Sequence, residues 1–142
     1  MSTHSPTPDE LLPHVAPMVL IDAILRWDDN NISCMAHSHL ASDNPLRLEG
    51  ILSVYAGVEY AAQAMAAHAQ LTSTAPASAP RKGFLATASK LSAQVSNLDQ
   101  IAEPLSVDVH RIAANNGSSL YSFMISAGQQ TLLEGQLMAI VE

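Results

Sequence analysis

The chain has 142 residues, enough for one domain that buries roughly two thirds of its unfolded surface in a single core. Apolar residues make up 48 % and charged residues only 13 %, which excludes a disordered chain and points to a face that is covered by something else. Thirteen acids against six Lys and Arg give a net charge of −7, with Arg81-Lys82 the only adjacent basic pair, so no stripe exists to neutralise phosphates and nucleic-acid binding is excluded.

Residues 1–10 are polar and proline-bearing, with neither a basic nor an apolar leader segment, and are expected to form a flexible start to a cytoplasmic protein. Asp9 is placed to cap one short helical turn before Leu11-Leu12-Pro13. Met18 to Trp27 is rich in Val, Ile and Leu and ends at Asp28-Asp29-Asn30-Asn31, a turn signal, so it reads as the first strand. Ile32, Cys34 and Ala36 then alternate with polar positions, which makes a second strand and a hairpin. Cys34 stands alone, so no intrachain disulfide or Cys-rich zinc site is expected.

After Asp43-Asn44-Pro45, an alanine-rich, proline-free run predicts one helix over Ile51 to Leu71, apolar nearly all round and therefore enclosed. Glu59, Gln63 and His68 within it, and the lack of basic flanks, argue against a membrane span. Thr72 to Pro80 is a proline-punctuated loop. Four strand patterns follow, around Leu91–Val95, Leu105–Val109, Tyr121–Ile125 and Leu133–Val141, with turn signals at Asn115-Asn116-Gly117 and Gly128, and they are expected to run as a four-strand meander. A hairpin, one enclosed helix and a meander make an α+β chain in which a curved antiparallel sheet wraps a long central helix. That arrangement is similar to the hot-dog fold, and residues 11–142 are read as a single such domain, paired into a dimer that covers an open sheet edge.

Three segments carry a resemblance. Leu11-Leu12-Pro13-His14-Val15-Ala16-Pro17-Met18-Val19-Leu20-Ile21-Asp22 resembles the Leu-Leu-Pro-His-Arg-x-Pro-x-Leu-Leu-Ile-Asp opening of the 3-hydroxyacyl-acyl-carrier-protein dehydratases of the FabZ/FabA type. Gly57-Val58-Glu59-Tyr60-Ala61-Ala62-Gln63-Ala64 resembles their central-helix motif, and Gly83-Phe84-Leu85-Ala86 their strand lining the acyl tunnel. The chain looks closest to the shortened dehydratase-like (ApeP-like) subunits of aryl-polyene biosynthesis. The resemblance implies Glu59 and Gln63 as catalytic residues, Tyr60, Phe84 and Leu85 along the tunnel, and an acyl carrier protein bearing a 3-hydroxyacyl thioester as substrate carrier. It implies a homo- or heterodimer with a dehydratase homologue, and no cofactor or metal. The family's Gly-His-Phe-Pro loop, which carries the catalytic histidine, is replaced here by Leu46-Arg47-Leu48-Glu49-Gly50-Ile51-Leu52-Ser53, Val15 replaces an arginine, and Thr87 stands where a tunnel glycine is expected.

The residues leave several alternatives open. Glu59 is the only acid in the helix, four residues from Gln63 on one face, and is either a structural partner of Gln63 or backbone, or a group kept for proton transfer. His37 and His39 have metal-ligand spacing, yet such a face is more often solvated, and His39 is also the histidine nearest the replaced loop, a possible base. His14 reads as structural, His68 as a cap that favours the dipole at the helix C-terminus, and Tyr55 and Tyr60 as core fillers. Three functions are consistent with the chain: one half of a dehydratase, a structural partner of one, or an acyl-thioester hydrolase on the same scaffold.

Overall fold

The structure is a computed structural model that describes residues 19–72, 83–115 and 117–141. The expectations for the N-terminal segment, Asp9, His14, Val15, the loop after Thr72 and Arg81-Lys82 lie outside the described residues.

The expected hairpin is present as β1 (Ala23–Trp27) and β2 (Asn31–Ala36), antiparallel with Trp27 opposite Ile32. Asp28 builds the turn: its carboxylate accepts the backbone N–H of Asn30 and of Asn31, each at 2.9 Å. The Asn30 N–H, first among these, holds that carboxyl below its ordinary value. β1 is shorter than the apolar run because Leu20 is drawn away from strand pairing, while the Asp22 N–H still donates to the Met35 carbonyl of β2 at 2.9 Å. The Leu20 N–H donates to Gln63 Oε1 at 2.9 Å, and the Leu20 carbonyl accepts from Ser38 Oγ at 2.6 Å.

The helix also begins later than its composition predicts. Residues 51–54 are held in extended pairing with the chain around Asn97: the Leu52 N–H donates to Asp99 Oδ1 at 2.9 Å, the Leu98 N–H to the Leu52 carbonyl at 2.7 Å, and the Val54 N–H to the Ser96 carbonyl at 3.0 Å. Ser53 then caps a single 3-10 turn, Val54–Ala56, and α1 follows as Gly57–Leu71. One bond to a carboxylate and two backbone bonds outweigh a propensity difference of a few tenths of a kcal/mol per residue.

Four further strands complete a six-stranded sheet: β3 (Gly83–Ala93), β4 (Leu105–Asn115), β5 (Ser118–Ala127) and β6 (Gln130–Val141), in the order β1-β2-β4-β5-β6-β3. The turns at Gly117 (φ +87°) and Gly128 (φ +58°) lie where the sequence places them. The meander does not run through all four strands. Only β4, β5 and β6 are consecutive neighbours, whereas β3 pairs with β6 at the far edge. The segment after β3 is pinned to Leu52 and Val54, and β4 then begins beside β2, with Leu105 opposite Ala36. The pattern read at Leu91–Val95 accordingly ends at Ala93, and Val95 lies past the strand end.

Ile32, Cys34 and Ala36 of β2, Leu105, Val107 and Val109 of β4, and Tyr121, Phe123 and Ile125 of β5 are buried on one face, the alternation of a one-sided sheet. Against that face α1 lays Tyr60, Ala61, Ala64, Met65, Ala67 and His68, the alanines allowing close approach. One long helix in a curved antiparallel sheet is the hot-dog fold. Enclosure is one-sided, however: Tyr55 and Ala66 are exposed, and Val58, Glu59, Ala62 and Ala69 are half-buried, a stripe at helical spacing outside the core. Tyr60 is the core filler expected of it and Tyr55 is not. No helix among the described residues is long and apolar enough to cross a membrane.

Gly135 of β6 is required sterically. A Cβ there would lie 2.6 Å from Leu91 Cδ2, 3.0 Å from the Ser89 carbonyl oxygen and 3.1 Å from a Phe123 ring carbon. Gly135→Ala is expected to cost about 1–3 kcal/mol, since backbone as well as side chains must move. Chemical denaturation measures it, and an unchanged midpoint would show that β3 yields freely.

Candidate active site

Glu59 occupies the first turn of α1, where a carboxylate favours the positive end of the helix dipole. It is half-buried within the apolar stripe of Tyr55, Val58, Ala62 and Ala66, facing away from the sheet. The neighbouring motif residues turn the other way. Tyr60 is wholly buried, and its hydroxyl sits 2.7 Å from Ser38 Oγ and 3.1 Å from Asn44 Nδ2. Because Ser38 Oγ donates to the Leu20 carbonyl, the Tyr60 hydroxyl donates to Ser38 and accepts from Asn44. Burial raises the Tyr60 pKa, so the phenol stays neutral. Gln63, 1 % exposed, places Oε1 on the Leu20 N–H.

Leu20 is thus held from both sides by residues flanking Glu59 in the helix or bonded to them. This fixes how α1 is rotated about its axis, and hence which way Glu59 faces. Gln63→Leu keeps the volume but orphans a buried N–H, and is expected to cost about 1–3 kcal/mol in a thermal melt. An unchanged melt would show that Leu20 does not depend on that bond. Neither Ser38 nor Asn44 stood out in the sequence; each is a short polar residue in a loop, and nothing in local pattern announces a partner 22 or 16 residues away.

The histidines separate. β2 ends at Ala36, so His37 and His39 do not share a strand face. His37 is exposed, with Nδ1 2.9 Å from Asp22 Oδ2. His39 lies in the 3-10 turn Ser38–Leu40 and is wholly buried, with Nε2–H donated to the Ile101 carbonyl at 2.9 Å and Nδ1 without a hydrogen-bond partner among the described residues. Burial lowers its pKa and keeps the ring neutral. No group of three potential ligands among the described residues could hold a metal ion.

His68 does not cap the helix end: its ring bonds to groups outside α1. It is fully buried, with Nε2–H donated to the Asp28 carbonyl at 2.9 Å and Nδ1 accepting the Tyr121 hydroxyl at 2.8 Å. Burial lowers its pKa too, so it is a neutral bridge from α1 to the first hairpin. Burial likewise pushes the Cys34 thiol up to about 12, which removes it as a nucleophile at neutral pH.

Phe84 and Leu85 stand on β3 opposite Ile140 and Ala139 of β6, beside a register shift between Leu85 and Thr87; the structure describes their backbone only. An open trough of about 730 Å³ does exist, but on the other face of the sheet, among Ser33, Lys90, Asp108, His110, Ser122 and Glu134. The sheet separates it from α1.

The segment that stands in place of the histidine loop is a closed turn. The Leu48 N–H donates to the Ile51 carbonyl at 2.8 Å and the Ile51 N–H to the Leu48 carbonyl at 3.0 Å. Its central residues, Glu49 (φ +53°) and Gly50 (φ +81°), are both left-handed, as a type I′ turn requires. Between Leu46 and Ser53 there is no histidine, and the one carboxylate, Glu49, is exposed.

A family model described as ApeP-like, ApeP dehydratase, matches residues 6–142. The chain superimposes on a chain of the dehydratase heterocomplex ApeI:P from Xenorhabdus doucetiae with a TM-score of 0.82 at 22 % identity, covering 98 % of this chain and 93 % of that one. A mutant thioesterase from Pseudomonas aeruginosa gives 0.66 at 14 % identity, covering 98 % and 96 %. A thioesterase from Haemophilus influenzae gives 0.62 at 10 % identity, covering 86 % and 78 %. At these identities the likeness is one of fold. No curated protein matches the chain.

Proposed function

The chain belongs to the ApeP-like dehydratase family, and from that premise we propose that it is one half of a 3-hydroxyacyl-acyl-carrier-protein dehydratase, supplying the carboxyl group of Glu59 to a site whose histidine comes from a second subunit. One observation carries the reading: Glu59 is held on the side of α1 that the sheet leaves uncovered, while the segment that should bring the histidine is a closed, histidine-free turn. Dehydration removes the C2 proton of the thioester, forms the C2–C3 double bond and expels the 3-hydroxyl, protonated, as water. One group takes the C2 proton and the other delivers a proton to the leaving oxygen. Glu59 is the one carboxyl on α1 available for this, and the imidazole is assigned to the partner because the His39 ring is buried with Nε2–H committed to Ile101. Tyr60 and Gln63 support the site by orienting the helix, and Phe84 and Leu85 belong to the strand along which the acyl chain would lie. The chain works in this reading with an acyl carrier protein and without a metal or cofactor.

The test is turnover of a 3-hydroxyacyl carrier-protein thioester by the purified chain, alone and with a co-expressed histidine-bearing dehydratase homologue. Activity is expected only with the pair, and full activity from the single chain overturns the proposal. The second reading, a structural partner that donates no group, is favoured by the commitment of Tyr60 and Gln63 to buried hydrogen bonds. Thioester hydrolysis by the chain alone would point instead to a hydrolase.

A further inference from the structure

Leu48 is 79 % exposed at the tip of its turn, and around it Ile51, Tyr55 and Leu40 are 50 %, 55 % and 45 % exposed. Apolar side chains this exposed are ordinary when scattered, but here four occur within one short stretch on a tip that is held rigid. The Arg47 guanidinium donates to three carbonyls, Ala41 at 2.9 Å through Nε, Gly50 at 2.7 Å and His39 at 3.0 Å, tying both sides of the loop to the base of the turn. Glu49, a non-glycine residue at φ +53°, keeps a left-handed conformation that costs energy and persists only where the surroundings fix it. A convex, preorganised apolar tip suits a protein cleft, not a small molecule.

The charge around the tip narrows the partner. Asp43, Glu49 and Glu103 are exposed nearby, and Arg47, the one Lys or Arg between residues 38 and 56, is spent on carbonyls. An apolar knob with an acidic rim calls for an apolar cleft with a basic rim, and repels an acidic carrier protein. Past the turn, Tyr55 begins the partly exposed apolar stripe that runs along α1 through Val58 and Ala62, past Glu59.

We propose that the Leu48–Ile51 turn is a docking knob, seated in an apolar, basic-rimmed cleft of the histidine-bearing subunit, so that the segment which would have carried catalysis carries assembly instead. The inference rests on the two-subunit reading above and adds to it the surface by which the subunits hold each other. The experiment is a titration of the purified chain against that co-expressed homologue, by calorimetry or sedimentation. Leu48→Ser, which changes no charge, is expected to weaken association by about tenfold or more, with the melting of the isolated chain unchanged. Glu49→Gly, which relieves the backbone, is expected to leave the apolar contact in place. Raising the ionic strength is expected to weaken wild-type association. Undiminished association of Leu48→Ser overturns the knob while the role of Glu59 stands, and association indifferent to salt overturns the basic rim. If the wild-type chain does not associate at all, the two-subunit reading fails and the knob with it. Leu48-dependent binding of an acyl carrier protein in place of the homologue overturns the choice of partner.

Discussion

Glu59→Gln in the assembled complex is expected to reduce turnover of the 3-hydroxyacyl thioester by about 10²–10⁴-fold while the complex still co-elutes and melts as before. Glutamine keeps the size and hydrogen-bonding outline of the carboxylate and removes only its ability to exchange a proton. The substitution therefore separates catalysis from support. Glu59 lies outside the packed face of α1, whereas its neighbours Tyr60 and Gln63 are bound into the interior. Gel filtration with a steady-state assay reads both quantities at once. Unchanged turnover would assign the chain a purely structural part.

His68→Leu is expected to cost about 2–4 kcal/mol, lowering the melting temperature by roughly 5–15 °C. The volume is nearly conserved, so the loss comes from the two bonds that join α1 to the hairpin and from the buried Tyr121 hydroxyl left without its acceptor. The same residue makes the protein sensitive to acid. Burial sets the pKa of His68, and of His39, below the ordinary 6.5. Between pH 6.5 and the depressed values the unfolded chain takes up protons that the folded one refuses, so stability is complete above about pH 6.5 and falls as the pH drops below it. Denaturant midpoints measured across that range should decline toward acid in the wild type and decline less in His68→Leu. A flat wild-type profile would mean that both rings find compensation when charged.

The hairpin was legible because Asp28-Asp29-Asn30-Asn31 acts locally: one carboxylate reaches N–H groups two and three residues on, and no distant contact is needed. The existence of α1 was legible from its alanines, and its start was not, because Asp99 and Ser96, over forty residues away, compete for residues 51–54. The position of β3 beyond β6 was illegible for the same reason, since an alternating pattern records which face is buried and says nothing of which strand lies alongside. Glu59 stood out in the sequence as the lone acid among alanines, and it lies half-buried in the first turn of α1. His68 was misread because its spacing from the helix end is a local cue, while its fate was decided by Tyr121 and the Asp28 carbonyl, contacts 53 and 40 residues away.

The placement of β3 at the sheet edge has a bearing on how the polypeptide comes to its native state during synthesis. β3 leaves the ribosome well before β6, the one strand with which it pairs among the described residues, and β6 is the last of these to appear. Until then an eleven-residue ribbon of unsatisfied amides waits in the nascent chain, open to any other exposed edge. A shortened transcript or an early stop codon that removes β6 therefore yields a product with a sticky ribbon and no seam, a substrate for proteolysis or co-aggregation rather than a weaker version of the same subunit.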